Sequence, residues 1–441
     1  MRIRKLYLKD IGPFDEVEFE FKPQEKGNAE IHIFTGQNGS GKTTVLHALA
    51  SLFCKVDDFQ NPNANNSFIK RVRDRFKIGQ QCRLRANFDE GEPVALYLNV
   101  AEEEEGSDWI SSHFDLSQFR ANSAVDAYSQ RMSWGAHTEF FVAAYSGYRI
   151  LRSANINAVQ ELKNDPFSDA LDFIKEPTNS FTLNQWIANN ISKRALEKEK
   201  SNQPLAKKFA ATLAKLEEAI SDIAGYKIEF SLKTTPLSLV ILANNSELDI
   251  DVLPDGLRSA ISWIGDLLMR IDLIPWEYGR PLDLILFLDE IEVHLHPAWQ
   301  RKVLPAVQKL FPNAQIFLTT HSPFVVNSIN GAAVYELKVK EGKAYLGEVT
   351  ESKSSRSYQN VLREVFDIDK DFGQPVQSDL DLFYQYRNEL LAGDESNESK
   401  FVKVAKKLGK ESIEQQSVEL QSIVGFELRQ LNRIKGKNYS V

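Results

Sequence analysis

One eight-residue motif constrains the fold of this chain more than any other feature of its sequence. Residues 36–43 read GQNGSGKT and fit the pattern G-x-x-x-x-G-K-[ST]. The short apolar run 31–34 precedes the motif, and residues 42–53 follow it with apolar side chains at helical spacing. A glycine loop of this kind turns backbone N–H groups toward a phosphate, and the helix N-terminus adds a positive dipole. The order strand, loop and helix therefore predicts an α/β fold with a nucleoside triphosphate site.

The motif and the residue after it supply the predicted nucleotide contacts. Lys42 reaches the β- and γ-phosphates and acts in catalysis, while the Thr43 hydroxyl binds Mg²⁺. The predicted cofactors are therefore a nucleoside triphosphate and Mg²⁺, and the resemblance given below implies that the nucleotide is ATP. The predicted contacts in the loop are Asn38, Gly39, Ser40, Gly41, Lys42, Thr43 and Thr44.

Two adjacent carboxylates end a second apolar run. The run 284–288 is followed directly by Asp289 and Glu290, and charge at the tip of a buried strand is costly unless something there uses it. A phosphate-binding loop needs a carboxylate on a neighbouring strand to complete the magnesium shell. We therefore predict that Asp289 binds the metal and that Glu290 is the catalytic residue that orients the attacking water.

A histidine follows a third apolar run, at residues 316–318. The carboxyl ends of parallel strands meet at one edge of a sheet, where α/β proteins hold their ligands. His321 is therefore predicted to emerge beside Asp289 as a third catalytic residue. There it would donate a hydrogen bond to the γ-phosphate or to the attacking water.

Composition and charge narrow the class of protein. The 441 residues carry a net charge of 53 − 61 = −8, which excludes a wholly basic coat for nucleic acid. Two cysteines, Cys54 and Cys82, cannot form a disulfide framework. No apolar run approaches the roughly 20 residues that span a bilayer, and charged residues interrupt the N-terminal segment. We expect no membrane contact and a cytoplasmic location.

Patterning along the chain predicts four segments. Residues 1–154 and 226–350 hold the strands and motifs of the nucleotide-binding part. Residues 155–225 read as a helical insertion that is broken at Gln203-Pro204. Residues 351–441 read as a helical C-terminal region.

Two groups of basic residues are candidates for contact with DNA. Because spacing alone does not show whether the cations converge, a solvated charged face is the alternative reading. The first group is Lys70, Arg71, Arg73, Arg75 and Lys77, and the second is Arg429, Arg433, Lys435 and Lys437.

Four motifs together resemble the ABC-type ATPases of the RecF, SMC and OLD group. They are the loop at 36–43, LPDGL at 253–257 before a helix, DEIEVHLHP at 289–297, and THSP at 320–323. The resemblance implies an α/β P-loop NTPase of the ABC-ATPase head type, with residues 155–225 as an inserted helical arm and a helical C-terminal region. In such ATPases two heads close around ATP, so a homo-oligomer through the heads is implied.

The resemblance also assigns a signature loop, which in one head contacts the γ-phosphate held by the other. Here Asp255, Gly256 and Ser259 would make that contact. The family usually has a serine where this chain has Pro254, which has neither a hydroxyl nor an N–H. The resemblance therefore implies no hydroxyl contact with phosphate from this position. His294 and His296 fall in the implied head-to-head interface, which we prefer over a zinc site because no third ligand lies nearby in sequence.

Stand-alone heads of this sort resemble the ATPase subunits of bacterial anti-phage systems, Septu and retron-associated modules among them. The analogy implies an ATP hydrolase that controls a separate nuclease or toxin. A RecF-like DNA repair or recombination ATPase and the nucleotide-binding subunit of a transporter are the alternatives. A nuclease pattern at Glu341-Gly342 and Asp379-Leu380-Asp381 lacks its flanking strand and helix, so we predict no nuclease activity in this chain.

Overall fold

The computed structural model divides the chain into two compact units, residues 1–361 and residues 362–441. It describes residues 2–24, 28–53, 71–72, 74–75, 77, 82–89, 94–98, 140–147, 149–154, 156, 158–162, 166–167, 169–171, 173, 180–244, 246–274, 283–366, 372–437 and 439. The boundaries of the four segments predicted above stay a prediction.

A mixed sheet of ten described strands forms the body of the first unit. Its strands run in the order β5-β4-β1-β2-β13-β12-β3-β11-β10-β6. They are β1 (Ile3–Ile11), β2 (Phe14–Glu20), β3 (Glu30–Gly36), β4 (Cys82–Phe88), β5 (Val94–Leu98), β6 (Phe140–Tyr145), β10 (Asp283–Leu288), β11 (Ala314–Thr319), β12 (Ala333–Lys340) and β13 (Lys343–Glu351). A second, antiparallel sheet consists of β7 (Ile228–Thr234), β8 (Leu237–Ala243) and β9 (Ser246–Asp249).

The four neighbouring strands β3, β11, β10 and β6 are parallel and position the site. Their central residues are buried and mostly apolar, as expected for parallel strands covered on both faces, with His32 on β3 and Gln315 on β11 as buried polar exceptions. In register, Leu288 lies opposite Leu318 on one side and Tyr145 on the other. Residues that follow these strands therefore emerge at one edge of the sheet, which confirms the α/β prediction.

Strands β1 and β2 form an antiparallel pair. Gly12, with φ of 56°, turns the chain between them. Phe19 on β2 and Phe21, which directly follows that strand, pack into an aromatic core, where the Phe21 ring lies 4.9 Å from that of Phe317. This packing fixes the β1–β2 turn against the parallel strands.

Seven described helices belong wholly or partly to the first unit. They are α1 (Lys42–Ser51), α2 (Ser180–Glu199), α3 (Gln203–Ala224), α4 (Asp255–Leu273), α5 (Pro297–Leu310), α6 (Pro323–Val326) and α7 (Tyr358–Phe366). In the described part of the chain, no helix has the length and apolar character needed to cross a membrane.

Helices α2 and α3 form the helical insertion. The two helices separate at residues 200–202, where Ser201 has φ of 59° and the Asn202 side chain caps α3, so the predicted break at Gln203-Pro204 falls in the first turn of α3. Leu213, Leu216 and Ile220 are buried, and α3 packs against α4 and α5. Helices α2 and α3 are therefore a helical hairpin, and the apolar stripe of α3 covers α4 and α5 of the first unit.

The second unit contains α8 (Gln374–Leu391), α9 (Glu398–Glu414) and α10 (Val418–Lys435), as the helical prediction required. Their apolar faces meet in a core in which the Phe383 and Phe401 rings stack at 5.1 Å. Asp379 lies on α8 in an ion pair with Lys407. Elsewhere, in the first unit, Glu341-Gly342 is the turn of the β12–β13 hairpin.

Candidate nucleotide-binding site

The glycine loop joins β3 to α1 and requires glycine at two tightly packed positions. Gly36 and Gly41 have φ of 141° and 90°, values that L side chains rarely adopt. A Cβ at Gly36 would lie 2.2 Å from the Leu337 carbonyl oxygen, and one at Gly41 would lie 2.5 Å from the Phe14 ring. The Gly12-Pro13-Phe14 turn therefore packs against the glycine loop at Gly41.

Gly41→Ala should destabilise the loop more than Gly39→Ala does. Both positions have positive φ, which costs a non-glycine residue about 1–2 kcal/mol. A Cβ at Gly39 meets nothing within 4 Å, whereas the Phe14 clash adds overpacking of about 1–3 kcal/mol. Thermal unfolding of the two variants measures the difference, and equal melting temperatures would contradict the proposed contact.

The interior of the loop carries donors suited to a polyphosphate. The Lys42 ammonium donates to the carbonyl oxygens of Gly36 and Gln37, each at 2.9 Å, and its burial lowers its pKa while Asp289 and Glu290 oppose that shift. The Ser40 hydroxyl is fully buried with no hydrogen-bond partner among the described residues. An orphaned buried hydroxyl beside a buried ammonium fits a site for an anion.

The loop and the distant carboxylate meet as the sequence predicts. The Thr43 hydroxyl lies 3.1 Å from both carboxylate oxygens of Asp289, a residue 246 positions away. Thr319, at the end of β11, donates to Asp289 Oδ1 at 2.7 Å and accepts from the Glu290 amide at 2.8 Å. A threonine hydroxyl and a carboxylate oxygen are hard oxygen ligands of the kind Mg²⁺ prefers.

Glu290 occupies a strained position at the tip of β10. Its φ is 47°, a left-handed conformation that is uncommon for a residue with a side chain and is concentrated at functional sites. Its carboxylate lies beside Gly147, where an added Cβ would be 3.0 Å from Oε2. The Asp289 amide, one residue earlier, donates to the Tyr145 carbonyl at 2.9 Å. Strand β6 thus helps to hold the turn.

His321 follows β11 at the same edge, and Glu292 fixes its backbone. Glu292 Oε1 accepts from the His321 amide at 2.5 Å, and Oε2 accepts from the Thr320 hydroxyl at 2.7 Å. Burial raises the pKa of Glu292. Burial and the Lys42 charge lower the pKa of His321, which favours a neutral imidazole able to donate one hydrogen bond at pH 7.

The predicted signature-loop residues lie at the start of α4. Gly256 packs on the loop after Glu290, because a Cβ there would lie 2.5 Å from the His294 carbonyl oxygen. Asp255 forms an ion pair with Arg258, and Ser259 is buried. Among the described residues of this single chain, no hydrogen bond or ion pair joins these three residues to the glycine loop.

The two histidines after Glu290 differ in their contacts. His294 is exposed, with φ of 65°. His296 caps α5, since its Nδ1 accepts from the Ala298 amide at 3.2 Å. Across the described ranges, no group of three or more His, Cys, Asp or Glu residues is placed to hold a metal.

Two members of the first basic group, Arg75 and Lys77, bond to other residues of the first unit. Arg75 Nη1 donates to the Thr44 hydroxyl at 2.6 Å, and its Nε lies 3.2 Å from His47 Nδ1. Lys77 pairs with Asp15 at 2.9 Å. Lys70 and Arg73 lie outside the described residues. Arg75 therefore supports the start of α1, a role that its place in a basic run does not indicate.

Two protein-family models match the chain. One, described as an AAA domain, matches residues 5–227, and the other, described as an AAA domain, putative AbiEii toxin, Type IV TA system, matches residues 135–327. The chain is 24% identical over 385 residues to the retron Vc95 probable ATPase of Vibrio cholerae serotype O1 biovar El Tor, covering 76% of this chain and 73% of that protein.

Two further relatives come from other bacteria. The retron Ec83 probable ATPase of Escherichia coli is 32% identical over 188 residues, which are 42% of this chain and 34% of that protein. The Septu protein PtuA of Bacillus thuringiensis is 23% identical over 343 residues, which are 76% of this chain and 74% of that protein.

Proposed function

Because the chain belongs to the AAA-domain family, whose model matches half of its length, we propose that it is a Mg²⁺-dependent ATPase. The observation that carries the proposal is the approach of the Thr43 hydroxyl to the Asp289 carboxylate at 3.1 Å. Residues so far apart in sequence meet there at the mouth of a glycine loop. This is the arrangement that a triphosphate–metal complex needs.

Each residue of the site then has a chemical task. Lys42, Ser40 and the amides of the glycine loop bind phosphate oxygens. Thr43 and Asp289 hold Mg²⁺, which when bound offsets the negative charge of the phosphates. Glu290 orients the attacking water and accepts its proton.

His321 and Arg75 complete the proposed machinery. The neutral imidazole of His321 donates to the γ-phosphate or to the attacking water. Arg75 holds the Thr44 hydroxyl and so fixes the first turn of α1. Neither role requires a residue from outside this chain.

We propose that two copies of the chain pair through their heads around ATP. Asp255, Gly256 and Ser259 of one copy would face the phosphates bound by the other, with the N-terminus of α4 adding its dipole. The support is that these residues have no bond to their own glycine loop among the described residues. The contact of Gly256 with His294 also places the loop after Glu290 beside this surface.

We further propose that the ATPase controls a separate nuclease or toxin in anti-phage defence. The support is the similarity of the chain to two retron probable ATPases and a Septu protein. Contact with DNA through residues 71–77 has no support from Arg75 and Lys77, because both bind groups within the first unit.

Phosphate release by the purified chain tests the proposal. We expect release from ATP that depends on Mg²⁺ and stops on addition of EDTA, together with an ATP-dependent increase in mass by light scattering. Absence of Mg²⁺-dependent hydrolysis would contradict the enzymatic assignment. A constant monomer mass with active hydrolysis would contradict only the pairing of heads.

A further inference from the structure

Arg149 is a buried cation at the site with no role in the proposed chemistry. It lies four residues beyond the end of β6 and is 6% exposed. Its Nη2 donates to the main-chain oxygen of Asp289 at 3.0 Å. Its Nε and Nη1 are buried without a partner among the described residues. Two unpaired donors on a buried guanidinium are costly unless its position serves a purpose.

The same guanidinium also contacts α4. It lies over the ring of Trp263 at 5.5 Å from the centroid, and Trp263 is itself 2% exposed. Burial lowers the pKa of Arg149 to about 10, and the carboxylates of Asp289, Glu292 and Glu290 oppose that shift. Arg149 is therefore charged at neutral pH and joins the Asp289 turn to α4.

The chain that follows Arg149 continues to the start of α4. The Leu151 amide donates to the Arg258 carbonyl at 3.4 Å. The Ser153 amide donates to the Asp251 carboxylate at 3.1 Å. The five-residue segment 149–153 therefore touches the Asp289 turn at one end and the residues around the first turn of α4 at the other.

We propose that Arg149 is a positioning residue that couples the position of Glu290 to the position of α4. It holds the main chain of Asp289, and with it the left-handed Glu290, at a position set by Trp263. The inference rests on the proposed function, because Glu290 is the residue proposed to orient water. Since α4 begins with the residues proposed to face the other head, pairing of heads would then adjust Glu290 through Arg149.

Arg149→Ala should lower kcat and leave nucleotide affinity nearly unchanged. We expect kcat to fall about 10–100-fold, the factor for losing one charge-assisted hydrogen bond, with the Kd for ATP within about threefold of wild type because no phosphate contact is lost. Arg149→Lys keeps one donor but cannot lie flat on the indole, so it should recover part of the loss. Equal kcat in all three proteins would overturn the proposal.

A double-mutant cycle with Trp263→Leu tests whether the two side chains act together. The leucine keeps an apolar group on α4 and removes the ring face. If Arg149 acts through Trp263, the double variant should be no slower than Arg149→Ala alone, within about twofold. Independent, multiplying losses would contradict the coupling.

Hydrogen exchange of the nucleotide-free protein gives a readout besides activity. The amides of Asp289, Ile291 and Val293 are all hydrogen-bonded within this region. In Arg149→Ala the peptide covering residues 289–293 should exchange at least about tenfold faster, while the exposed Arg152→Ala variant should match wild type. Unchanged exchange would overturn the proposal.

The two ways of failing can be told apart. If wild type neither binds nor hydrolyses ATP, the proposed function fails, and the exchange result still decides whether Arg149 holds the turn. If circular dichroism shows that Arg149→Ala does not fold, Arg149→Lys carries the same test. Wild-type kcat and wild-type exchange in the lysine variant would then count against the proposal.

Discussion

Glu290→Gln should stop ATP hydrolysis while ATP stays bound. Glutamine keeps the size of the side chain but cannot accept a proton from water, and loss of a positioned general base lowers rates by about 10²–10⁴-fold. The Thr43–Asp289 contact does not involve the Glu290 carboxylate, so the Kd for ATP should stay within about threefold of wild type. Single-turnover phosphate release and equilibrium ATP binding measure the two quantities.

The same variant should accumulate the paired state of the proposed oligomer, visible by light scattering with ATP. A matched control is Glu247→Gln on β9, where the side chain is exposed. Turnover of Glu290→Gln at the wild-type rate would remove Glu290 from the mechanism. Loss of ATP binding would mean that the carboxylate acts in the ground state instead.

Lys42→Ala should abolish ATP binding. The buried ammonium holds the carbonyls of Gly36 and Gln37 inside the loop and is proposed to move its hydrogen bonds to phosphate oxygens. Each hydrogen bond to a charged group contributes about 1.5–3 kcal/mol. Two such bonds correspond to a fall in affinity of about 10²–10⁴-fold, measured with a fluorescent ATP analogue.

Lys200→Ala, at an exposed position just beyond α2, is the control for loss of one positive charge. Its affinity for ATP should match that of wild type. Preserved ATP binding or hydrolysis in Lys42→Ala would contradict the assignment of the glycine loop. A lower melting temperature without loss of binding would assign Lys42 to loop structure alone.

The carboxyl ends of parallel strands meet at one edge of a sheet, and this rule explains which placements the sequence predicts. A glycine loop after β3, Asp289 after β10 and His321 after β11 must share an edge once the strands are parallel. The apolar runs are long enough to identify those strands. The positions of Lys42, Thr43 and Asp289 were therefore predictable, whereas their roles stay proposals.

Supporting residues escaped prediction because their partners are set by tertiary packing. Thr319 looks like the last residue of an apolar strand, yet it holds both Asp289 and the Glu290 amide. Glu292 sits in an acidic run, and its bonds to Thr320 and the His321 amide depend on the β10–β11 register. Arg75 reads as part of a basic cluster, but its guanidinium donates to the Thr44 hydroxyl in the first turn of α1. No local pattern encodes such contacts.

The residues at the start of α4 were predicted in a different way. Asp255, Gly256 and Ser259 were assigned from a resemblance, and Pro254 at the N-cap removes the hydroxyl that the resemblance requires. Their proposed partner is a second copy of the chain, so their geometry within one chain does not test the assignment. The contacts of Arg149 with Asp289 and Trp263 likewise emerge only from the fold.

The Mg²⁺ dependence of ATP binding in Asp289→Asn tests the central claim most directly, because Asp289 and Thr43 are proposed to hold one metal. Asp283→Asn, at the other end of the same strand, is the matched control. We expect the Mg²⁺ concentration at half-saturation to rise at least about tenfold in Asp289→Asn, as one lost ligand interaction of about 1.4 kcal/mol requires, and to stay unchanged in Asp283→Asn. The same Mg²⁺ midpoint in Asp289→Asn and wild type would contradict a shared triphosphate–metal site.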